Sequence, residues 1–328
     1  MPVQTITAGD LPEIRADLVA WLVDSSDSGG PAVWSDLPDP EWAFKESHAA
    51  REWSGVLREA TLFFVGSSTA ELAVASGLTL PTYQLHPEDV PAPRGLLVWE
   101  MPVTAPSYGG EHTGAPITAA SWAVRERGVE IRFWAKREDW LEGMAAAGSG
   151  MAALNDAQVR RLRTRFPMPL VFQVTSHLPF RKVPGWLRPE LLDNGSPAGR
   201  QEKLRLQSDL EQAERALVVT WLLMGQPLTS ELSVEPSRAA AKRLHRVAPD
   251  LATTVRYTHL RHGAPSREPV KDGAGVVYRH QWVVRGHWRS QWYPARQTHR
   301  PIWIADHVKG PEGAPLLDPG KLVHVLRG

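Results

Sequence analysis

The sequence predicts an α+β protein. It has an acidic N-terminal α+β region, a long core helix and a basic, β-rich C-terminal module, the last a small antiparallel sheet or barrel. Three observations carry this reading. Apolar residues recur at spacings of three and four in the segments around Leu11–Val23 and Gln201–Gly225, the pattern of helices buried on one side. From Thr253 onward the dominant period is two, the pattern of strands. The charge also divides along the chain: residues 1–235 hold 21 basic and 30 acidic residues, and residues 236–328 hold 16 and 6. The expected organisation is an acidic α+β region over residues 1–192, a linker and helical segment over 193–250, and a basic β-rich module over 251–328.

The elements follow in order. Leu11–Val23 places Ile14, Leu18, Trp21 and Leu22 on one helical face, and the loop-forming DSSDSGG run follows. Trp42, Phe44 and Trp53 flank a second helical stretch. Ser68 and Glu71 form a capping-box pattern that starts a short helix. Gly95–Val103 is a short apolar run between Gly and Pro, read as a buried strand. Ile117–Val124 and Val129–Ala135 flank Arg125-Glu126-Arg127-Gly128 and read as a hairpin. Asp156–Arg165 reads as a helix and Leu170–Val174 as a strand. Leu192–Gln201 is the linker candidate, because Asn194-Gly195 and Ser196-Pro197 punctuate it. In the helix that follows, Leu206, Leu210, Ala213, Leu217, Trp221 and Met224 share a stripe, and Pro227 ends it. Pro236–Val247 is a short helix with Arg238, Lys242 and His245 or Arg246 on one face. Thr254–Leu260, Val276–Tyr293, Pro301–Lys309 and Lys321–Arg327 are the C-terminal strands.

Composition excludes several function classes. With 328 residues, 42% of them apolar and 22% charged, the chain buries a sizeable core in one large or two smaller domains. The absence of cysteine excludes disulfides, thiolate zinc sites, iron–sulfur clusters and a cysteine nucleophile. No apolar run approaches the length of a membrane span, and the N-terminus has no basic flank followed by an apolar stretch, so a cytoplasmic protein is expected. No phosphate loop, dinucleotide fingerprint, nucleophile elbow or HExxH helix is present, and neither a cofactor nor a metal is expected.

The chemistry that remains is concentrated in Val276–Tyr293, VVYRHQWVVRGHWRSQWY. In a strand, Trp282, Trp288 and Trp292 point to one side, which is expected to bury. Arg279, Arg285, His287, Arg289, Gln291 and Tyr293 point to the other. The run is too long for one strand, so a break is expected at Gly286, as a sharp bend without an extra residue. Arg296, Arg300 and Lys309 add charge downstream. Arginine outnumbers lysine 29 to 8, which suits bidentate phosphate recognition and also follows from GC-rich coding. A basic, aromatic strand face fits nucleic acid, DNA or RNA. Arg279, Arg285, Arg289, Arg296, Arg300 and Lys309 would contact phosphates, and His287 and Tyr293 a base or sugar. One alternative is a metal-independent nuclease or RNase toxin with His287 as the catalytic candidate between Arg285 and Arg289. Another is a protein-interaction factor whose acidic N-terminal region engages a protein partner or masks the basic module.

The runs GHWRSQWY at Gly286–Tyr293 and HRPIWIADHVKGPEGAPLL at His299–Leu317 resemble uncharacterised proteins of actinobacteria and their mobile elements. The resemblance covers at most the last third of the chain. It implies a mobile-element or host-defence setting and transfers no catalytic residues.

Overall fold

Thr61–Val65, the apolar run TLFFV, is the strand around which the larger part of the protein is built. The computed structural model describes residues 5–27, 40–105, 115–146, 156–165, 168–180, 197–261, 279–311 and 313–316. The chain divides into two compact units, Met1–Leu78 with Thr82–Leu260, and Thr79–Pro81 with Arg261–Gly328.

In the larger unit β1 (Thr61–Val65) pairs in parallel with β2 (Arg94–Trp99) on one side and with β7 (Val255–Leu260) on the other. A strand with parallel neighbours on both sides, covered above and below, needs an unbroken apolar run rather than alternation. Antiparallel pairing adds β3 (Ile117–Arg125), β4 (Gly128–Lys136) and β5 (Leu170–Pro179) beyond β2. Beyond β7 it adds β6 (Thr229–Val234). The seven-stranded mixed sheet runs β5-β4-β3-β2-β1-β7-β6. The α+β class is therefore as the sequence predicts, and the β3–β4 hairpin turns through Glu126-Arg127 where it was expected.

Helices cover both faces. Leu62, Phe64, Leu96, Val98, Ala119, Trp134 and Val255 form one buried cluster with Leu11, Ile14, Leu18 and Leu22 of α1 (Leu11–Asp27) and Trp53, Val56 and Leu57 of α2 (Pro40–Arg58). Each Val, Leu, Ile or Phe among them, fully buried, stabilises by about 1.5–3 kcal/mol. On the opposite face Phe63 stacks on Trp122 at 5.6 Å, and Trp122 meets the edge of Trp221 at 5.2 Å. Trp221 belongs to α6 (Pro197–Met224), which lies beside α3 (Ser67–Gly77). Trp99 Nε1 donates to Thr220 Oγ1 of the same helix at 3.1 Å. Gly95 makes room for this aromatic layer, because a Cβ there would lie 2.2 Å from a Trp122 ring carbon. Below β4, α4 (Arg137–Ala146) and α5 (Asp156–Arg165) are tied by Arg163 Nη2 donating to Glu138 Oε2 at 2.6 Å.

One buried cation braces the larger unit. Arg15 is fully buried, and its Nη1 donates to the Ala60 carbonyl at 3.2 Å while its Nη2 donates to the Ala252 carbonyl. Burial lowers its pKa to about 10, against the opposing pull of Asp250.

The structure departs from the sequence reading at four places here. Pro197–Gln201, read as part of a linker, is the start of α6, with Pro197 at its first position, where the absent amide proton costs nothing. The helix itself is part of the larger unit rather than a separate segment, since its apolar stripe needs the sheet face to cover it. The strand at Val255–Leu260 was grouped with the basic module. It lies inside the large sheet, where Val255 and Thr258 are buried between β1 and β6. The Ser68–Glu71 capping box is not used: α3 begins at Ser67, whose amide and hydroxyl both donate to Glu100 Oε2, at 2.8 and 2.7 Å, from the end of β2. A seventh helix, α7 (Arg238–Val247), forms as expected, capped by Ser237 Oγ accepting from the Ala240 amide at 3.2 Å. Arg238, Lys242, His245 and Arg246 are exposed on it, and Arg243 holds Glu13 of α1 through two bonds of 2.7 and 2.8 Å.

Candidate nucleic-acid interface

In the smaller unit the sequence from Gln281 to Gly310 folds back on itself once. β8 (Trp282–Val284) pairs with β11 (His307–Lys309), and β9 (His287–Tyr293) pairs with β10 (Thr298–Ile304), both antiparallel. The two ladders share one register: Trp282 faces Lys309, Val284 faces His307, His287 faces Ile304 and Tyr293 faces Thr298. Arg285-Gly286 therefore stands opposite Ala305-Asp306 with no inserted residue, and the break is a bend without a bulge.

The bend has a clear physical cause. The Gly286 amide donates to Asp306 Oδ1 at 2.6 Å, a charge-assisted bond that replaces the ladder there. A Cβ on Gly286 would lie 2.5 Å from Trp303 Cζ2 and 2.8 Å from Asp306 Oδ1, so any larger residue forces the indole or the carboxylate to shift. Regular alternation would place His287 and His307 on opposite faces. The bend instead brings their rings to 6.5 Å. Each Nδ1 lies 3.0 Å from the carbonyl two residues before it, Arg285 for His287 and Ala305 for His307. A carbonyl only accepts, so each Nδ1 donates to it. His307 is buried, with no hydrogen-bond partner for its Nε2 among the described residues, whereas His287 is exposed.

Cross-strand pairing sorts the expected binding residues. Arg289, Gln291 and Tyr293 of β9 share a face with Ile302, Arg300 and Thr298 of β10. On it Arg289 Nη2 donates to Gln291 Oε1 at 3.0 Å, and the Arg300 guanidinium lies over the Tyr293 ring at 5.9 Å. Arg296 is exposed in the 3₁₀ turn Pro294–Arg296 that closes the hairpin. Arg285 is exposed at the bend, and Arg279 is exposed before β8. Lys309 is at the far end, opposite Trp282. The eight residues thus do not form one cluster. They line a ribbon whose ends would stand roughly 35 Å apart if it were straight.

The tryptophan side differs from expectation. Trp288 and Trp303 face each other edge-on at 5.4 Å and are half-buried. Trp292 is 43% exposed, packed against His299 at 4.8 Å. Asp306 and His299 were not among the expected binding residues. Folding the chain about Pro294–Gln297 sets His299 opposite Trp292, whereas Asp306 falls opposite Arg285 and bonds the neighbouring Gly286 amide. Gly310 and Gly313 follow with φ of 123° and 79°, backbone that favours glycine, and Gln281 then bridges to Leu316. The start of the expected strand at Val276 and the whole of Lys321–Arg327 lie outside the described residues.

Among the described residues no helix is long and apolar enough to cross a membrane, and no group of three or more His, Asp or Glu could hold a metal ion. No protein-family model matches the sequence, and no curated protein matches it. Among solved structures, the crystal structure of AcrVA2 is similar to 90% of this chain and 93% of its own, at 10% sequence identity and a TM-score of 0.33.

Proposed function

We propose that the protein binds nucleic acid along the hairpin of the smaller unit. Arg279, Arg285, Arg289, Arg296, Arg300 and Lys309 contact phosphates, and His287 and Tyr293 contact a base or sugar. One observation carries the reading. From Gly273 to Ala305 the chain holds five arginines and no carboxylate, and Arg279, Arg285, Arg289 and Arg296 are exposed. Asp306 at the bend is the acidic residue beside this stretch, and the excess of positive charge attracts a polyanion and releases its counterions. The resemblance of the C-terminal run supports a mobile-element or host-defence setting for this activity. The test is electrophoretic mobility shift of the full-length protein with DNA and RNA at two salt concentrations. A shift that weakens with salt is expected, and Arg289→Ala with Arg285→Ala should lower the salt slope by about 2. No shift at low salt would end this reading.

A second reading, metal-independent cleavage of the bound strand, is favoured by the His287–His307 pair. His287 offers an open Nε2 as acid or base beside exposed Arg285 and Arg289. His287→Ala should then abolish cleavage while retaining binding. Cleavage that survives the substitution excludes it.

A further inference from the structure

We infer that the nucleic acid recognised is single-stranded, held by bases stacked on Trp292 and Tyr293. This rests on the reading that the hairpin binds nucleic acid at all. These two residues end β9, immediately before the closing turn, and they are 43% and 37% exposed. Consecutive strand residues project to opposite sides, so each side of the ribbon ends in an aromatic ring.

Each ring is held in place by one neighbour. His299 packs against the indole at 4.8 Å, and the Arg300 guanidinium lies over the phenol ring at 5.9 Å. The turn between them is fixed by the 3₁₀ segment Pro294–Arg296 and by Gln297 in the left-handed region, with φ 48°. Pro294, Ala295, Arg296 and Gln297 are all exposed. The contrast with the middle of the ribbon is informative. There Trp288 and Trp303 cover one another edge-on. Among the described residues, the tryptophan and tyrosine rings most open to solvent in this ribbon, Trp292 and Tyr293, lie at the hairpin end, next to exposed Arg296.

The choice of strand form follows from what each polymer can offer such rings. In a duplex the base faces are already stacked on their neighbours, and phosphate contacts need no aromatic side chain. An unpaired base presents a free π-face, which stacks on Trp or Tyr without regard to sequence. A flexible strand crossing the hairpin end can lay one base on each side, while Arg289 and Arg296 take the flanking phosphates.

The experiment is fluorescence anisotropy of the full-length protein with a labelled mixed-sequence 20-mer as single-stranded DNA, as single-stranded RNA and as the DNA duplex, at low and moderate salt. Single strands of DNA, RNA or both are expected to bind at least about tenfold more tightly than the duplex. Trp292→Ala and Tyr293→Ala should each lower single-strand affinity about tenfold without changing the salt slope or duplex affinity. Trp292→Phe should restore most of the loss. Duplex binding as tight as single-strand binding, or alanine variants that bind single strands like the wild type, would overturn the inference and leave nucleic-acid binding standing. Failure of all three polymers to bind at low salt would remove the underlying reading as well.

Discussion

Gly286→Ala tests whether the bend organises the basic ribbon. The added Cβ would lie 2.5 Å from Trp303 Cζ2 and 2.8 Å from Asp306 Oδ1. Carbon contacts are comfortable at about 3.5–4.0 Å, so the indole or the backbone must move by about 1 Å. Moving the indole disturbs its edge-on contact with Trp288, of a kind worth about 0.5–1.5 kcal/mol. Moving Asp306 weakens its bond to the Gly286 amide, of a kind worth about 1.5–3 kcal/mol where the acceptor is charged. Neither contact is deeply buried, so the sum should fall near the middle of the range for overpacking, about 2 kcal/mol. That corresponds to roughly thirtyfold faster exchange where opening is a rapid pre-equilibrium. Hydrogen exchange of the full-length protein, read by mass spectrometry, should show this loss of protection across β8–β11. Protection across β1, β2 and β3 should stay as in the wild type and serves as the internal control. Single-strand affinity should fall in parallel, because Arg289, Arg300 and Tyr293 lose their common face. Protection of residues 282–309 within twofold of wild type would refute the role given to the bend.

Three further outcomes are expected in the larger unit. Gly95→Ala drives a methyl into Trp122, which stacks on Phe63, meets Trp221 and donates from Nε1 to the Ala92 carbonyl at 2.9 Å. It should cost about 3–5 kcal/mol, seen as a lower urea midpoint; an unchanged midpoint would contradict the packing described. Arg15→Met leaves the Ala60 and Ala252 carbonyls without their donors and should lower stability by about 2–4 kcal/mol in the same assay, and a neutral result would mean these carbonyls find other donors. Partial burial pushes the Glu138 carboxyl up, but hydrogen bonds from Arg163 and Arg137 outweigh this and hold it below its usual range. Its contribution is therefore present above the unfolded-chain value, near pH 4.3, and is lost as pH falls through the lower folded value. Glu138→Gln should cost up to about 1 kcal/mol at pH 7, given the exposure of the pair, and nothing near pH 2. A stability gap independent of pH would show that the charge is not responsible.

Much of the local structure was legible because it depends on neighbours in sequence. The α1 and α6 stripes, the β3–β4 hairpin with its two-residue turn and the α7 helix all follow from periodicity and punctuation. The central strand was not. Thr61–Val65 ends in four residues of unbroken apolar character, and such a run reads equally as helix core until its parallel partners β2 and β7 are known. β6, with Leu232 54% exposed, carries too little alternation to be seen and exists because β7 offers it an edge. In the same way the cap of α3 comes from Glu100, 33 residues away, rather than from the nearby Glu71.

The candidate interface divides along the same line. The sequence by itself determined the residue types, the alternation and the acid-free stretch from Gly273 to Ala305, and it located the break at Gly286. Those properties need only composition and the two-residue period of a strand. The tertiary structure decided what lies opposite what. It set Asp306 on the Gly286 amide, turned His287 toward His307, stacked Arg300 on Tyr293 and left Trp292 open at the hairpin end. It also moved Val255–Leu260 out of the basic module and into the large sheet. Contacts between distant residues depend on which pairing buries the most surface and satisfies the most hydrogen bonds, and that is a property of the whole fold rather than of any segment.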